Sequence, residues 1–331
     1  MIPDTFKAFV VEEKEGEYPG RIQTRAINDL PENELLIRVQ YSSLNYKDAL
    51  SATGNKGVTR KYPHTPGIDS VGTIARSGAE GFKKGETVIV TSYDLGMNTD
   101  GGFGQYISVP AAWAVKLPDG MTAKEAMILG TAGLTAGMSV MRLTEQVSPD
   151  RGTVVVSGAT GGVGSIGVAI LAKIGYTVAA VSGKEQEQDY LYRLGAAEVI
   201  LRKEFEAENP RPLMKDRFAG GIDTVGGPVL DTMVKSIHPM GVVTCCGNAA
   251  SPKLNLTVFP FILRGISLIG IDSQNYPMGE REKVWKLLAG EWKPEQLTEL
   301  YQEISLAGLG EKIDAMLAGR LKGRTLVDLD V

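Results

Sequence analysis

A cluster of glycines directly after a short β-branched run is the feature of this sequence with the clearest chemistry. The run Val154–Val156 is followed by SGATGGVG at 157–164, and an apolar helical pattern begins at once. Ala159, Gly161 and Gly164 fill the three small-residue positions of a dinucleotide-binding fingerprint. Small residues are needed there because the backbone must turn tightly and bring amides at the helix N-terminus to a pyrophosphate. A glycine-rich turn without a ligand is the alternative. We predict a pyrophosphate site formed by Gly161, Gly162, Val163 and Gly164.

The end of the next strand bears on which dinucleotide binds. The stretch 175–181 is typical of a second parallel strand, and Ser182, Gly183 and Lys184 follow it. NAD-specific sites usually carry Asp or Glu about 20 residues past the fingerprint, where the carboxylate binds the ribose 2′-hydroxyl. Ser182 stands 21 residues after Gly161. A hydroxyl beside Lys184 accepts a 2′-phosphate that a carboxylate would repel, so the sequence favours NADPH. The alternative is that Lys184 is an ordinary solvated lysine.

Length and composition limit the class of protein. The chain has 331 residues, 43% of them hydrophobic, which is enough for two cores. A net charge of −4 with mixed acids and bases argues against nucleic acid or a membrane surface as a partner. We expect no apolar run of membrane-spanning length and no signal peptide at Met1–Lys7. Cys245 and Cys246, the two cysteines, are expected on one buried strand in a reducing cytoplasm.

The hydrophobic pattern changes about one third of the way along the chain. Short strand candidates separated by glycine turns fill the first third, at 6–11, 34–41, 72–75 and 87–91. From about residue 123, helix and strand patterns alternate, with later strands expected at 221–226, 241–247 and 266–271. A helix at 281–289 and a strand at 325–329 close the chain. The predicted boundaries are 1–122 for a mostly antiparallel β domain, 123–272 for a nucleotide-binding domain, and 273–331 for a return to the first.

This order resembles the medium-chain dehydrogenase/reductase superfamily, and several segments carry the resemblance. They are SSLNYKD at 42–48, PGIDSVG at 66–72, GTAGLTA at 130–136 and the closing turn Gly323-Arg324-Thr325. The resemblance covers nearly the whole chain. It implies an α/β protein, with a GroES-like mostly-β catalytic domain and a Rossmann domain built on a doubly wound parallel sheet.

The resemblance also raises the question of zinc. The zinc alcohol dehydrogenases of this family hold the metal through a Cys, a His with a neighbouring Glu, and a further Cys or acid. The corresponding positions here are Asn45, Ile68 with Asp69, and Thr131. The four-cysteine structural lobe is missing as well, and His64 and His238 show no ligand-pair spacing. His64 is expected in a proline-rich turn and His238 in a loop. We expect no metal.

Without a Lewis acid, carbonyl–alcohol exchange loses its usual electrophile, whereas an activated alkene accepts hydride directly. The chain most resembles the acrylyl-CoA reductase group, whose members also carry the name quinone oxidoreductase. The segments that carry this likeness are 43–48, 158–164, 260–265 and 270–273. The resemblance implies NADPH-dependent reduction of a 2,3-unsaturated acyl-CoA, with acrylyl-CoA to propionyl-CoA first. The alternatives are an NADPH-dependent quinone or enone reductase, and a non-catalytic NADPH-binding sensor.

Two residues of one signature segment, Asn45 and Tyr46, are candidates for the chemistry. Tyr46 is expected to face the nicotinamide, where it either donates the proton to the α-carbon or packs against the cofactor. Asn45 either hydrogen-bonds the substrate carbonyl or holds the turn, and we favour the turn. Lys47 and Asp48 are expected to form a surface pair.

Further cofactor contacts are expected at the ends of later strands. By resemblance Arg202 approaches the 2′-phosphate and Ile262 the nicotinamide, although the segment 259–263 is expected to be mainly core. Asn248 and Ser273 follow strands at the sheet edge where open α/β sheets bind ligands, whereas Asp223 is expected to make structural hydrogen bonds. The apolar edge strand 266–271 predicts a homodimer, because pairing with a second copy covers it.

Overall fold

The computed structural model describes residues 1–206 and 210–330, and these form two compact units. The first unit contains residues 1–131, 274–283 and 301–331. The second contains residues 132–273 and 284–300. The chain therefore returns twice to the first unit, once at 274 and once at 301.

Strands and helices are numbered along the chain. The strands are β1 Thr5–Val11, β2 Gly20–Ala26, β3 Leu35–Leu44, β4 Asp69–Ser77, β5 Thr87–Thr91, β6 Tyr106–Val109, β7 Ala114–Lys116, β8 Val154–Val156, β9 Val178–Ser182, β10 Glu198–Leu201, β11 Phe218–Asp223, β12 Ile237–Cys245, β13 Ser267–Gly270, β14 Tyr301–Ser305 and β15 Arg324–Asp328. The helices are α1 Tyr46–Ala52, α2 Ala123–Thr144, α3 Gly162–Lys173, α4 Gln188–Arg193, α5 Arg202–Phe205, α6 Gly227–Lys235, α7 Phe259–Arg264, α8 Met278–Ala289 and α9 Leu309–Leu317.

The first unit is a β domain whose strands are mostly antiparallel. Its larger sheet has the order β14-β15-β3-β4-β5-β7, with β6 also paired to β3, and β1 and β2 form a separate hairpin. β14 and β15 are the parallel pair. Leu35, Ile37 and Val39 of β3 point to one face, as period-2 alternation requires, and pack into the core with Phe103 and Leu309.

The second unit is a parallel sheet with the order β10-β9-β8-β11-β12-β13. This is the doubly wound order in which strand succession reverses between β8 and β11. Val154, Val155 and Val156 of β8 are fully buried, as expected for a central strand covered on both faces. Both sheets agree with the predicted fold class, a mostly antiparallel β domain joined to a Rossmann domain with a doubly wound parallel sheet.

Several local predictions differ from the structure. β2, β6, β7, β14 and α9 lie where no element was predicted. His238 lies inside β12 rather than in a loop, and β12 ends at Cys245, so Cys246 falls just beyond the strand. Helix α8 begins at Met278, three residues before the predicted start.

Among the described residues, one helix is long and apolar enough to cross a membrane, which corrects the expectation that no run approaches that length. Helix α2 has 22 residues. Of its most apolar window, 83% is buried inside the protein. The helix is also interrupted at Gly130, where φ is 53° and ψ is −152°. Burial and interruption favour a core helix.

Candidate functional site

The predicted glycine loop joins β8 to α3. Gly161 is the N-cap of α3, and Gly162, Val163 and Gly164 form its first turn. A Cβ on Gly164 would lie 2.3 Å from the carbonyl oxygen of Gly158, so this position admits no side chain without a backbone shift. Gly158 itself has φ +58°, which favours glycine. The loop thus exposes the start of α3 at the carboxyl end of β8, as a pyrophosphate site requires.

The buried carboxylate of Asp223 lies between β8 and β11, where the strand order reverses, and forms hydrogen bonds there. Ser157, directly after β8, donates to Oδ1 of Asp223 at 2.6 Å. Asp223 Oδ2 accepts the amide of Gly226 at 2.8 Å. Burial raises the pKa of the Asp223 carboxyl. Asp223 therefore makes structural hydrogen bonds, as expected, and they join β11 to the loop after β8.

The residues predicted to bind the 2′-phosphate come together beyond β9 and β10. Ser182 ends β9 and pairs with Leu201, so Arg202, the next residue, begins α5 beside it. The amide of Lys184 donates to Ser182 Oγ at 3.0 Å. An ideal Cβ on Gly183 would lie 3.3 Å from Cζ of Arg202, so the guanidinium lies close against this glycine. Hydroxyl, backbone and guanidinium thus gather at one sheet edge.

A cavity of about 640 Å³ lies at the carboxyl ends of β11, β12 and β13. Both cysteines line it, together with Asn248, Ile271 and Asp272. Burial and the Asp223 carboxylate raise the pKa of Cys246 to about 12 and raise that of Cys245 as well. Both cysteines are half-buried: Cys245 is the last residue of β12, and Cys246 follows it. Asn248 thus lies at the carboxyl edge of the sheet, and its contact with a cofactor stays a prediction.

Two other predicted cofactor residues of the second unit lie outside that lining. Ser273 is half-buried, three residues after the end of β13. Ile262 is 67% exposed on α7, and its neighbours Phe259 and Leu263 are exposed as well. The segment 259–263 was expected to be core, and this is wrong for these three side chains. A six-residue helix buries one face only, here through Pro260.

In the first unit, Asp69 is the centre of a buried polar cluster. The strands β15, β3 and β4 are neighbours, and the start of β4, the end of β3 and the start of β15 meet at one edge. Asp69 Oδ2 accepts the Ser43 hydroxyl at 2.7 Å and Asn45 Nδ2 at 2.8 Å. Its Oδ1 accepts the Thr131 hydroxyl at 2.5 Å and the Thr131 amide at 2.9 Å. Both carboxylate oxygens are thus used within the protein.

Arg324, the first residue of β15, compensates the negative charge of the Asp69 carboxylate. Its Nη2 donates to Ser43 Oγ at 2.7 Å and lies 3.4 Å from Asp69 Oδ2. Its Nη1 donates to Asn45 Oδ1 at 3.0 Å. A Cβ on Gly130 would lie 2.4 Å from Asp69 Oδ2, so the glycine that interrupts α2 also makes room for this cluster. The network therefore constrains Asn45 through both atoms of its amide.

In the segment Asn45–Asp48, some side chains lie at the surface and others are buried at or near the Asp69 cluster. Tyr46, the first residue of α1, is 56% exposed. Lys47 donates to Gln274 Oε1 at 2.6 Å. Asp48 is fully buried and accepts the amides of Asn45 and Ile68, each at 2.8 Å. The expected surface pair of Lys47 and Asp48 is wrong, because Asp48 caps the start of α1 from within.

Asp48 should make stability depend on pH. Burial first and the nearby Asp69 second raise the pKa of Asp48 to about 7, against roughly 3.9 in an unfolded chain. The folded state binds this proton more tightly, so its contribution is fully present below pH ~4 and is lost as pH rises through ~7. We expect the unfolding free energy of the protein, relative to Asp48→Asn, to fall by up to about 1.4 kcal/mol per pH unit near pH 5 to 7. Urea titrations at several pH values measure it, and a difference that is constant with pH contradicts the assignment.

Both units match known protein families. Residues 31–119 match the family described as Alcohol dehydrogenase GroES-like domain, and residues 162–290 match Zinc-binding dehydrogenase. The chain is 42% identical over 326 residues to "Putative quinone oxidoreductase YhfP" of Bacillus subtilis, covering 98% of this chain and 99% of the relative. It is 39% identical over 331 residues to the acrylyl-CoA reductase AcuI of Ruegeria pomeroyi, with coverage of 98% and 99%. The chain belongs to the medium-chain dehydrogenase/reductase family.

Solved structures of such family members carry nicotinamide cofactors. The yhdH oxidoreductase of Salmonella enterica in complex with NADP superposes with a TM-score of 0.95 at 41% identity, covering 97% of this chain and 99% of that one. Bacillus subtilis yhfP with NAD bound gives a TM-score of 0.96 at 41% identity, covering 99% and 100%. The resemblance drawn from the sequence, including the acrylyl-CoA reductase group, is confirmed.

The chemistry of the positions where zinc enzymes of this family hold their metal does not suit zinc here. Asn45, Asp69 and Thr131 do come together, but an amide and a hydroxyl are poor zinc ligands. Asp69 is already bonded to both of them and faces the Arg324 guanidinium. Within residues 1–206 and 210–330, no group of three His, Cys, Asp or Glu side chains could hold a metal ion. Asn45, Asp69 and Thr131 therefore do not fit zinc.

Sequence reasoning missed the importance of three residues. Arg324 was noted only within a closing turn, Gly130 only within an entry segment, and Thr160 only within the fingerprint. A charged residue directly before the apolar strand Thr325–Leu329 was the available signal for Arg324. Nothing in the sequence pattern indicated that the Thr160 side chain is buried.

Proposed function

We propose that this member of the medium-chain dehydrogenase/reductase family is an NADPH-dependent reductase of activated C=C bonds. The substrate class is a 2,3-unsaturated acyl-CoA, with acrylyl-CoA to propionyl-CoA as the leading reaction. The observation that carries the proposal is the Asp69 cluster, in which Asn45, Thr131 and Arg324 occupy the carboxylate. A site built this way offers no Lewis acid to a carbonyl, whereas an activated alkene needs none. The name of the Ruegeria relative agrees with this substrate class.

The second unit supplies the residues that would hold the cofactor. Gly161–Gly164 are proposed to offer their amides to the pyrophosphate, and Ser182, Gly183, Lys184 and Arg202 are proposed to bind the 2′-phosphate, a proposal that the contacts of Ser182 and Arg202 support. When bound, NADPH supplies the hydride that adds to the β-carbon of the thioester. Asn248, Ile262 and Ser273 are the further proposed contacts of this cofactor.

Tyr46 is the proposed proton donor of the reaction. Its phenol O–H gives a proton to the α-carbon of the enolate and regains one from water, which a 56% exposed side chain can reach. The alternative is that Tyr46 only packs against the cofactor. Asn45 is proposed to position the start of α1, because its amide is bonded to Asp69 and Arg324 and is not free for a substrate carbonyl.

The quinone or enone reductase remains the second candidate function, favoured by the name of the Bacillus relative. One assay separates the candidates: NADPH oxidation with acrylyl-CoA, crotonyl-CoA and a simple quinone, each with and without a chelator. We expect turnover with the enoyl thioesters, unchanged by the chelator. Turnover with the quinone alone would favour the second candidate, and no turnover with any of them would favour a non-catalytic NADPH-binding sensor.

Cofactor preference is the first consequence of the proposed 2′-phosphate site. We expect NADPH to bind at least tenfold more tightly than NADH, about 1.4 kcal/mol. The reason is that Arg202 and the Ser182 hydroxyl meet a phosphate where NAD sites place a carboxylate. Titration of cofactor fluorescence measures both affinities. Arg202→Gln should weaken NADPH alone, and equal affinities in the unaltered protein would remove the argument.

We also propose a homodimer. β13 is an edge strand of the second unit's sheet, and its Leu268 and Ile269 are half-buried. The preceding helix α7 leaves Ile262 and Leu263 more than 60% exposed. An exposed apolar edge beside an apolar helix is a liability for a monomer, and pairing with a two-fold mate covers both. The small-molecule substrate and a second copy are the proposed partners, with no nucleic acid and no membrane.

Sedimentation at micromolar concentration should therefore show a dimer. Leu268→Lys should weaken it, because a buried lysine at the strand contact loses its hydration. Ile22→Lys is the control, since Ile22 is an apolar strand residue with an exposed side chain on β2 of the other unit. A soluble monomer, or equal weakening by both variants, would contradict the proposed interface.

A cytoplasmic location is proposed on composition. Both cysteines are free thiols, which suits a reducing compartment.

A further inference from the structure

A buried threonine inside the glycine loop faces the proposed 2′-phosphate site. Thr160 lies between Ala159 and Gly161, and it is only 6% exposed. Its hydroxyl lies 3.5 Å from Ser182 Oγ, at the outer limit of a hydrogen bond. Two buried hydroxyls thus meet at long distance where the β8–α3 loop passes the end of β9.

The hydrogen bonds of Ser182 determine what this pair can donate. Ser182 Oγ already accepts the amide of Lys184 at 3.0 Å. Its own proton is therefore directed away from that amide, toward Thr160 or toward a ligand. A long Ser–Thr contact satisfies a buried hydroxyl poorly, whereas a phosphate oxygen accepts strongly. When Thr160 donates to Ser182 Oγ, the Ser182 proton is left for a ligand at the edge of the site.

Positive charge lies across the same edge. The Arg202 guanidinium lies close against Gly183, and its side chain is half exposed, with Nε 3.9 Å from Glu206 Oε1. An anion at this edge would thus meet both the guanidinium and the hydroxyl pair. NADH carries a ribose 2′-hydroxyl at this position and no phosphate.

We infer that Thr160 is a specificity-determining residue for NADPH, which positions the Ser182 hydroxyl toward the 2′-phosphate. The inference rests on the proposed NADPH-dependent function. Thr160 acts through Ser182 and takes no part in the hydride or proton transfer. Removal of its hydroxyl should therefore affect the phosphorylated cofactor and leave the unphosphorylated one alone.

The test is a set of matched variants titrated with NADPH and NADH. Thr160→Val keeps the shape and removes the hydroxyl, and we expect NADPH affinity to fall about three- to tenfold, the worth of one hydrogen bond, with NADH affinity unchanged. Thr160→Ser should restore the NADPH affinity. Ser182→Ala should match Thr160→Val, and the double variant should lose no more than either, because both act through one hydroxyl.

Three results would overturn the inference. These are equal losses for both cofactors, additive losses in the double variant, and an NADPH affinity that does not change in Thr160→Val. Failure of the proposed function is seen separately, since it would appear as no NADPH preference in the unaltered protein. Circular dichroism of each variant checks that the fold is kept.

Discussion

Arg324→Met should lower the unfolding free energy by about 3–5 kcal/mol, because it leaves the Asp69 carboxylate buried without its compensating charge. Asp69 is fully buried and Arg324 is 3% exposed, so water cannot replace the guanidinium. The guanidinium also holds Ser43, Asn45 and the carbonyl of Ile128. Denaturant titration measures the loss. Activity should fall as well, since Asn45 precedes the proposed proton donor Tyr46.

Two controls distinguish the effect of breaking the buried Asp69–Arg324 ion pair from the effect of removing any arginine. Arg38→Met removes an exposed pair with Asp330 in the same unit and should cost about 0–1 kcal/mol. Asp69→Leu combined with Arg324→Met should be less destabilised than Arg324→Met alone, because it removes the uncompensated charge. A small effect of Arg324→Met, equal to that of Arg38→Met, would show that the cluster contributes little.

Gly164→Ala should lower NADPH affinity by at least tenfold, about 1.4 kcal/mol. The added methyl would lie 2.3 Å from the carbonyl oxygen of Gly158, so the loop or the first turn of α3 must move. Either movement displaces the amides that would hold the pyrophosphate. Fluorescence titration of the variant with NADPH gives the change.

Gly167→Ala is the matched control, one turn later in the same helix. Its methyl would meet Ile222 Cδ1 at 3.6 Å, an ordinary van der Waals contact. The added methyl also improves helix propensity, so binding should be unchanged and stability equal or slightly higher. If both variants lost NADPH affinity equally, the close approach at Gly164 would not be the cause.

The fold was predictable where local pattern and backbone geometry coincide. The β-branched run at β8, the glycines after it and the apolar face of α3 all favour one strand–turn–helix unit, and the structure has it. β5 was predicted with its observed bounds, Thr87–Thr91. Short strands without strong alternation, such as β7 with three residues, give no such pattern and were missed.

The candidate site was predictable in part, for a physical reason. Parallel pairing brings the ends of β9 and β10 side by side. The residues at these ends, Ser182, Gly183, Lys184 and Arg202, could therefore be predicted to lie close together. The meeting of Asp69 with Arg324 joins residues 255 apart along the chain, and only the sheet order reveals it. The exposure of α7 could not be predicted either, because an apolar helix has the same pattern in a core and at an interface.

Reduction of acrylyl-CoA with NADPH deuterated at its transferable position tests whether hydride adds to the C=C bond. We expect propionyl-CoA with one deuterium on the β-carbon and a solvent proton on the α-carbon, identified by mass spectrometry and NMR. Deuterium on an alcohol carbon, or NADPH oxidation without a saturated thioester, would contradict it.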